Sequence, residues 1–119
     1  MEEVERWFKS AEDDLRKAKD NFGISNYDLA SFLCQQAVEK SLKAFLIKKT
    51  SKFPKIHDLV KLGKLVNLDQ NLLKICEKLT FVYTETRYPD VSERKYTKDE
   101  TQKDIENTEV LIKWIAERL

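Results

Sequence analysis

The sequence predicts an all-α fold, an up-and-down antiparallel bundle of four long helices plus one short helix, and three observations carry that prediction. Glycine and proline number two each in 119 residues, so the punctuation that separates strands is missing. Charged residues make up 36% of the chain and apolar residues 41%, and the apolar ones recur at spacings of three and four rather than two. Leu29 to Ile47, LASFLCQQAVEKSLKAFLI, is apolar around most of a helix, and in water other helices must cover it. The length suits one domain, residues 1–119, able to bury a core.

The first helix is expected from about Glu2 to about Asn21, with Val4, Trp7, Phe8, Ala11, Leu15, Ala18 and Phe22 on one face and Gly23 ending it at positive φ. Ser25 to Asp28 has the form of a capping box for the central helix, which then lasts to about Lys49. Along that helix Ala30, Cys34, Ala37, Ser41 and Ala44 make a seam of small side chains where a neighbouring backbone can come close, and Ala11 and Ala18 suit the approach. Gln35, Gln36, Glu39, Lys40 and Lys43 fall on the other side as its one solvated stripe.

Thr50 to Ile56 reads as a loop, and His57 to Val66 as a short amphipathic helix through Leu59, Leu62 and Leu65, weakened by Gly63. Asp69 can cap a fourth helix, whose apolar residues Leu72, Leu73, Ile75, Cys76, Leu79, Val82 and Tyr83 continue almost to Arg87 before Pro89 stops it. Asp90 to Tyr96 is a loop. Thr97 to Glu100 is a second capping box, opening a last helix that packs Ile105, Thr108, Leu111, Ile112, Ile115 and Leu119 on the core.

The formal net charge is +1, but the charges are unevenly spread. Lys40, Lys43, Lys48, Lys49, Lys52, Lys55, Lys61 and Lys64 are opposed in their own stretch only by Asp58, while acids crowd both ends of the chain. Such a flank can meet a polyanion; the competing reading, lysines neutralised across the bundle by the terminal helices, is the one the sequence favours. Cys34 and Cys76 lack a partner at metal-ligand spacing and read as small buried hydrophobes in a reducing compartment. No metal, cofactor or membrane partner is expected, and the expected location is the cytoplasm.

Three places can carry chemistry. His57, the one histidine, stands beside Asp58, which can accept a ring N–H; alternatively either residue caps the short helix. Tyr83, Arg87, Tyr88, Pro89 and Asp90 cluster where the fourth helix ends, so that Arg87 can hold a phosphate and the tyrosines can stack on a base; alternatively Arg87 satisfies the last carbonyls and pairs with Asp90. Gln36, Lys40 and Lys43 can line a groove with Glu39 as counter-charge; alternatively they form a solvated face with a Glu39–Lys43 pair one turn apart.

Phe32 to Ala44 (FLCQQAVEKSLKA), Ile56-His57-Asp58-Leu59 and Arg87-Tyr88-Pro89-Asp90, with Trp7, Ala11, Asp14 and Leu15 before them, together resemble the HEPN domain in order and approximate spacing. The resemblance covers nearly the whole chain. It implies a helical bundle that pairs with a second copy of itself and works beside a minimal nucleotidyltransferase, in toxin–antitoxin or defence-like pairs. Many members of that family are metal-independent ribonucleases. They use an Arg-x(4–6)-His motif from both subunits and the 2′-hydroxyl of RNA as nucleophile. Here Ser92, Glu93 and Arg94 stand where that histidine would be, and the only histidine lies upstream at His57. The expectation is therefore a homodimeric module that binds a nucleotide or RNA phosphate through Arg87, Tyr88, Asp90, Tyr83, Gln36, Lys40 and Lys43. The alternatives are a ribonuclease using Arg87 and His57, and a purely structural protein-interaction bundle.

Overall fold

The computed structural model describes residues 2–52, 55–87 and 96–119, with the backbone alone for 83–87. Its helices are α1 (Glu2–Gly23), α2 (Tyr27–Thr50), α3 (Leu59–Leu65), α4 (Gln70–Arg87) and α5 (Lys98–Ala116), and no strand occurs among the described residues. This is the predicted up-and-down bundle, with the short helix in third place.

The small-residue seam sets how the first two helices meet. Ala30, Cys34, Ala37, Ser41 and Ala44 are all fully buried, as are Ala11 and Ala18 on α1. Val4 clusters with Ala44 and Ile47, Trp7 stands by Lys43, and Asp14 reaches Lys40, so α1 runs antiparallel to α2 along its length. On another side of α2, α5 runs parallel to it. Ser31 meets Asp104 near one end, and the rings of Phe45 and Trp114 lie 5.9 Å apart further along. Past the end of α5, the Lys48 ammonium donates to the carbonyls of Arg118 and Leu119.

The turn between α1 and α2 differs from its prediction. Gly23 does not take positive φ; Ser25 does, at 63°. The Ser25 N–H donates to Phe22 O and the Asn26 N–H to Asn21 O, which closes α1 in a Schellman arrangement. With its backbone left-handed, Ser25 cannot act as the extended N-cap of a capping box. Asn26 takes the N-cap position without capping α2 through its side chain, which donates to Asn21 Oδ1 instead, and Asp28 accepts the N–H of Leu29.

The other helix ends follow the sequence more closely. Asp58 caps α3 by accepting from Val60 N and Lys61 N, and Asp69 accepts from Leu72 N at the start of α4. Thr97 accepts from Glu100 N, but the reciprocal arm of that box is diverted, since the Glu100 carboxylate lies 3.5 Å from Lys78. Within α3, Leu65 is 54% exposed and Val66 fills the core in its place. Gly63 is buried where two leucines close in: a Cβ there would lie 2.9 Å from Leu73 Cδ2 and 3.0 Å from Leu68 Cδ1, so those side chains would have to shift. The expected stop at Pro89 and the loop over 90–95 lie outside the described residues.

Candidate functional site: a buried polar ridge on the central helix

Ser31, Gln35, Glu39 and Lys43 follow one another at four-residue spacing and form a ridge along α2. The expected solvated stripe is largely inside the protein: Gln35, Glu39 and Lys43 are buried, and only Gln36 and Lys40 keep partial access to water. The chain before α3 returns over the ridge and lays His57 on Glu39, while Trp7 of α1 stands 5.9 Å from the Lys43 ammonium. A helix that looks two-faced by itself is thus covered on its polar side as well.

Glu39 is the hub. Its Oε2 accepts from Lys43 Nζ at 2.9 Å and lies 3.0 Å from His57 Nδ1, and its Oε1 accepts from Gln35 Nε2 at 3.3 Å. Gln36 Nε2 donates in turn to Gln35 Oε1 at 2.6 Å. The Glu39 and Lys43 side chains are only 8% and 4% exposed, whereas that of His57 is 70% exposed. A carboxylate can only accept, so the proton of a neutral imidazole here sits on Nδ1 and Nε2 carries the lone pair. The partner expected for the ring was Asp58, but that carboxylate is occupied at the N-cap of α3.

Lys40 is engaged elsewhere. Its Nζ lies 2.7 Å from Asp14 Oδ2 and donates to Ser10 Oγ at 2.9 Å, tying α2 to α1. At the other end of the ridge, Ser31 Oγ donates to Asp104 Oδ2 at 2.8 Å, with Lys78 3.5 Å from the second oxygen of that carboxylate. Of the basic segment, Lys40 and Lys43 are therefore neutralised inside the bundle, while Lys52, Lys55, Lys61 and Lys64 are exposed.

Among the predicted site residues, Gln36, Lys43 and His57 join one network, and Lys40 joins α1 instead. The side chains of Tyr83 and Arg87, and all of Tyr88 and Asp90, lie outside the described residues; the backbone of α4 carries residues 83 and 87 in its last turns. Glu39, which the sequence offered only as a counter-charge, and Gln35 are the additions. The available signal was the unbroken four-residue spacing of polar side chains on an otherwise apolar helix. No group of three or more metal-ligating side chains occurs among the described residues. Burial first, and the nearby charge of Asp58 second, push the Cys76 thiol up to about 12, so it stays protonated and unreactive at neutral pH. Among the described residues no helix is long and apolar enough to cross a membrane.

The HEPN domain model matches residues 4–119. The chain belongs to the HEPN family. Its structure is similar to that of TT1696 from Thermus thermophilus, at 25% identity over all of both chains with a TM-score of 0.91. It is also similar to ST0689, an archaeal HEPN homologue, at 31% identity over 99% of this chain and 98% of that one, with a TM-score of 0.84. Among curated proteins no relative matches. In this HEPN chain the FLCQQAVEKSLKA stretch supplies Gln35, Glu39 and Lys43 of the ridge, and the Ile56-His57-Asp58-Leu59 stretch supplies both the imidazole that sits on it and the cap of α3.

Proposed function

We propose that this HEPN domain, acting as one unit over residues 1–119, binds a nucleotide or RNA phosphate in the cytoplasm as a homodimer beside a minimal nucleotidyltransferase, in a toxin–antitoxin or defence-like pair. The observation that carries the reading is the exposed His57 imidazole seated on the buried Glu39. As an imidazolium, with Nδ1–H donating to Glu39, the ring can donate Nε2–H to a phosphate oxygen from a fixed orientation, which suits that contact better than a freely rotating side chain does. Arg87 supplies the second phosphate contact through its planar fork, and Tyr83, Tyr88 and Asp90 shape the surroundings. Gln36 and Lys43 act through the network around Glu39, and Lys40 acts from its strut to α1.

The test is thermal unfolding of the purified protein with a panel of nucleotides, with RNA and with a nucleotidyltransferase. A ligand that binds only the folded state raises the transition temperature. A rise with at least one of them is expected, and no shift with any would overturn the reading.

The same contact favours one second reading, a metal-independent endoribonuclease. With Nδ1 donating to Glu39, the Nε2 lone pair of His57 can take the proton of a 2′-hydroxyl as its oxygen attacks the phosphorus. The bond to the 5′-oxygen then breaks and that oxygen takes a proton from water, leaving a 2′,3′-cyclic phosphate and a 5′-hydroxyl, while Arg87 offsets the charge on the phosphoryl oxygens and His57 returns its proton to solvent. Cutting that survives chelator and is lost in both Arg87→Ala and His57→Ala supports this reading. Cutting retained in both variants assigns it to a contaminant.

A further inference from the structure

We infer that the concavity between α1 and α2 lined by Arg6, Trp7, Ser10 and Lys40 is a second nucleotide subsite, holding one base against Trp7 and its phosphate between Arg6 and Lys40. The inference rests on the phosphate-binding reading above and adds to it the neighbouring unit of a bound strand. The concavity is shallow and open to solvent, with a volume of about 400 Å³. One turn of α1 supplies an arginine, an indole and a hydroxyl at positions 6, 7 and 10, and α2 supplies the ammonium opposite.

Each side chain suits that use for a separate reason. Trp7 is half-buried, packed against the Val4, Ala44 and Ile47 cluster, so its ring is held in place while it also lines the concavity. A fixed aromatic face stacks on any base, because every base has a π-face. Lys40 is pinned by Asp14 and Ser10, which take two of its three donors, and the third remains for a phosphate oxygen. Arg6 brings the net charge. Its side chain is 71% exposed, and its contact with Glu2 is long, 4.0 Å, between two groups in water, so a phosphate competes with it at small cost.

The position matters as much as the composition. Trp7 stands by Lys43, Lys43 is bonded to Glu39, and Glu39 holds His57, so an unbroken line of contacts leads from the concavity to the exposed imidazole. The concavity and the imidazole thus stand at two ends of one buried network.

The chain has two tryptophans, so Trp114→Phe leaves Trp7 as the only indole emitter. In that background, Trp7 emission is titrated with fluorescein-labelled 2′-O-methyl hexa-adenylate, which attack by a 2′-hydroxyl cannot cut, and with AMP and inorganic phosphate. Anisotropy of the labelled strand reports total binding in parallel. Saturable quenching by the strand and by AMP, with none by inorganic phosphate, is expected; tighter quenching by the strand identifies RNA as the source, and equal quenching identifies a free nucleotide. Trp7→Leu should weaken strand binding about tenfold and Trp7→Phe much less. Arg6→Ala, at an exposed position that keeps the fold, should lower the salt slope of binding by about one. Strand binding with unchanged Trp7 emission, and with Arg6→Ala equal to its parent, overturns the subsite and leaves the phosphate reading standing. No strand binding by anisotropy, with no response of Trp7 to AMP and no thermal shift with any nucleotide, overturns both.

Discussion

Lys40 and Lys43 stand three residues apart on one helix, and each meets a carboxylate within 2.9 Å, yet they do different things. Lys40 finds its acid, Asp14, on another helix, so the pair acts as a strut between α1 and α2. Lys43 finds Glu39 on its own helix one turn back, and that pair joins no two helices by itself. The carboxylate it holds has further lone pairs, and these take Gln35 and the exposed His57. A charge pair between helices is spent on assembly, whereas a pair within one helix can serve as a platform for a third group.

The largest effect expected from breaking this contrast is at Glu39. Glu39→Ala removes the carboxylate that faces the buried Lys43 ammonium and should cost about 3–5 kcal/mol of stability in urea unfolding. Asp14→Ala should cost less, about 1.5–3 kcal/mol, because the Lys40 side chain can turn partly to water and keep its bond to Ser10. If the two losses came out in the opposite order, the strut would be the dominant pair and the platform secondary. His57→Ala should be smallest, within about 0.5 kcal/mol, since the ring is mostly exposed and Glu39 keeps Lys43. A large loss of stability in His57→Ala would make that residue a structural latch.

The helices were legible in the sequence because their apolar spacing is regular and because Asp58, Asp69 and Thr97 cap where short polar side chains should. What the sequence could not show is which side of a helix another segment returns over. The face of Gln35, Glu39 and Lys43 is polar, and polarity alone reads as exposure; only the fold brings His57 back across it, eighteen positions after Glu39. The errors at Ser25 and Leu65 have the same origin. A left-handed turn at Ser25 and the close approach of Leu73 and Leu68 to Gly63 are decided by how neighbouring helices end and pack, not by spacing within one segment. The Arg87 half of the candidate site was named from sequence, and its side chains lie outside the described residues.

The measurement that bears most directly on phosphate binding is anisotropy of the labelled 2′-O-methyl strand with the parent, Arg87→Ala and His57→Ala at matched salt, each variant first shown to be folded. Both substitutions should weaken binding, and Arg87→Ala should also flatten the salt dependence by about one phosphate contact. Parent-like affinity and salt slope in both variants would contradict the proposed function and leave Arg87 as a structural cation of α4 and His57 as a surface group on the Glu39 ridge.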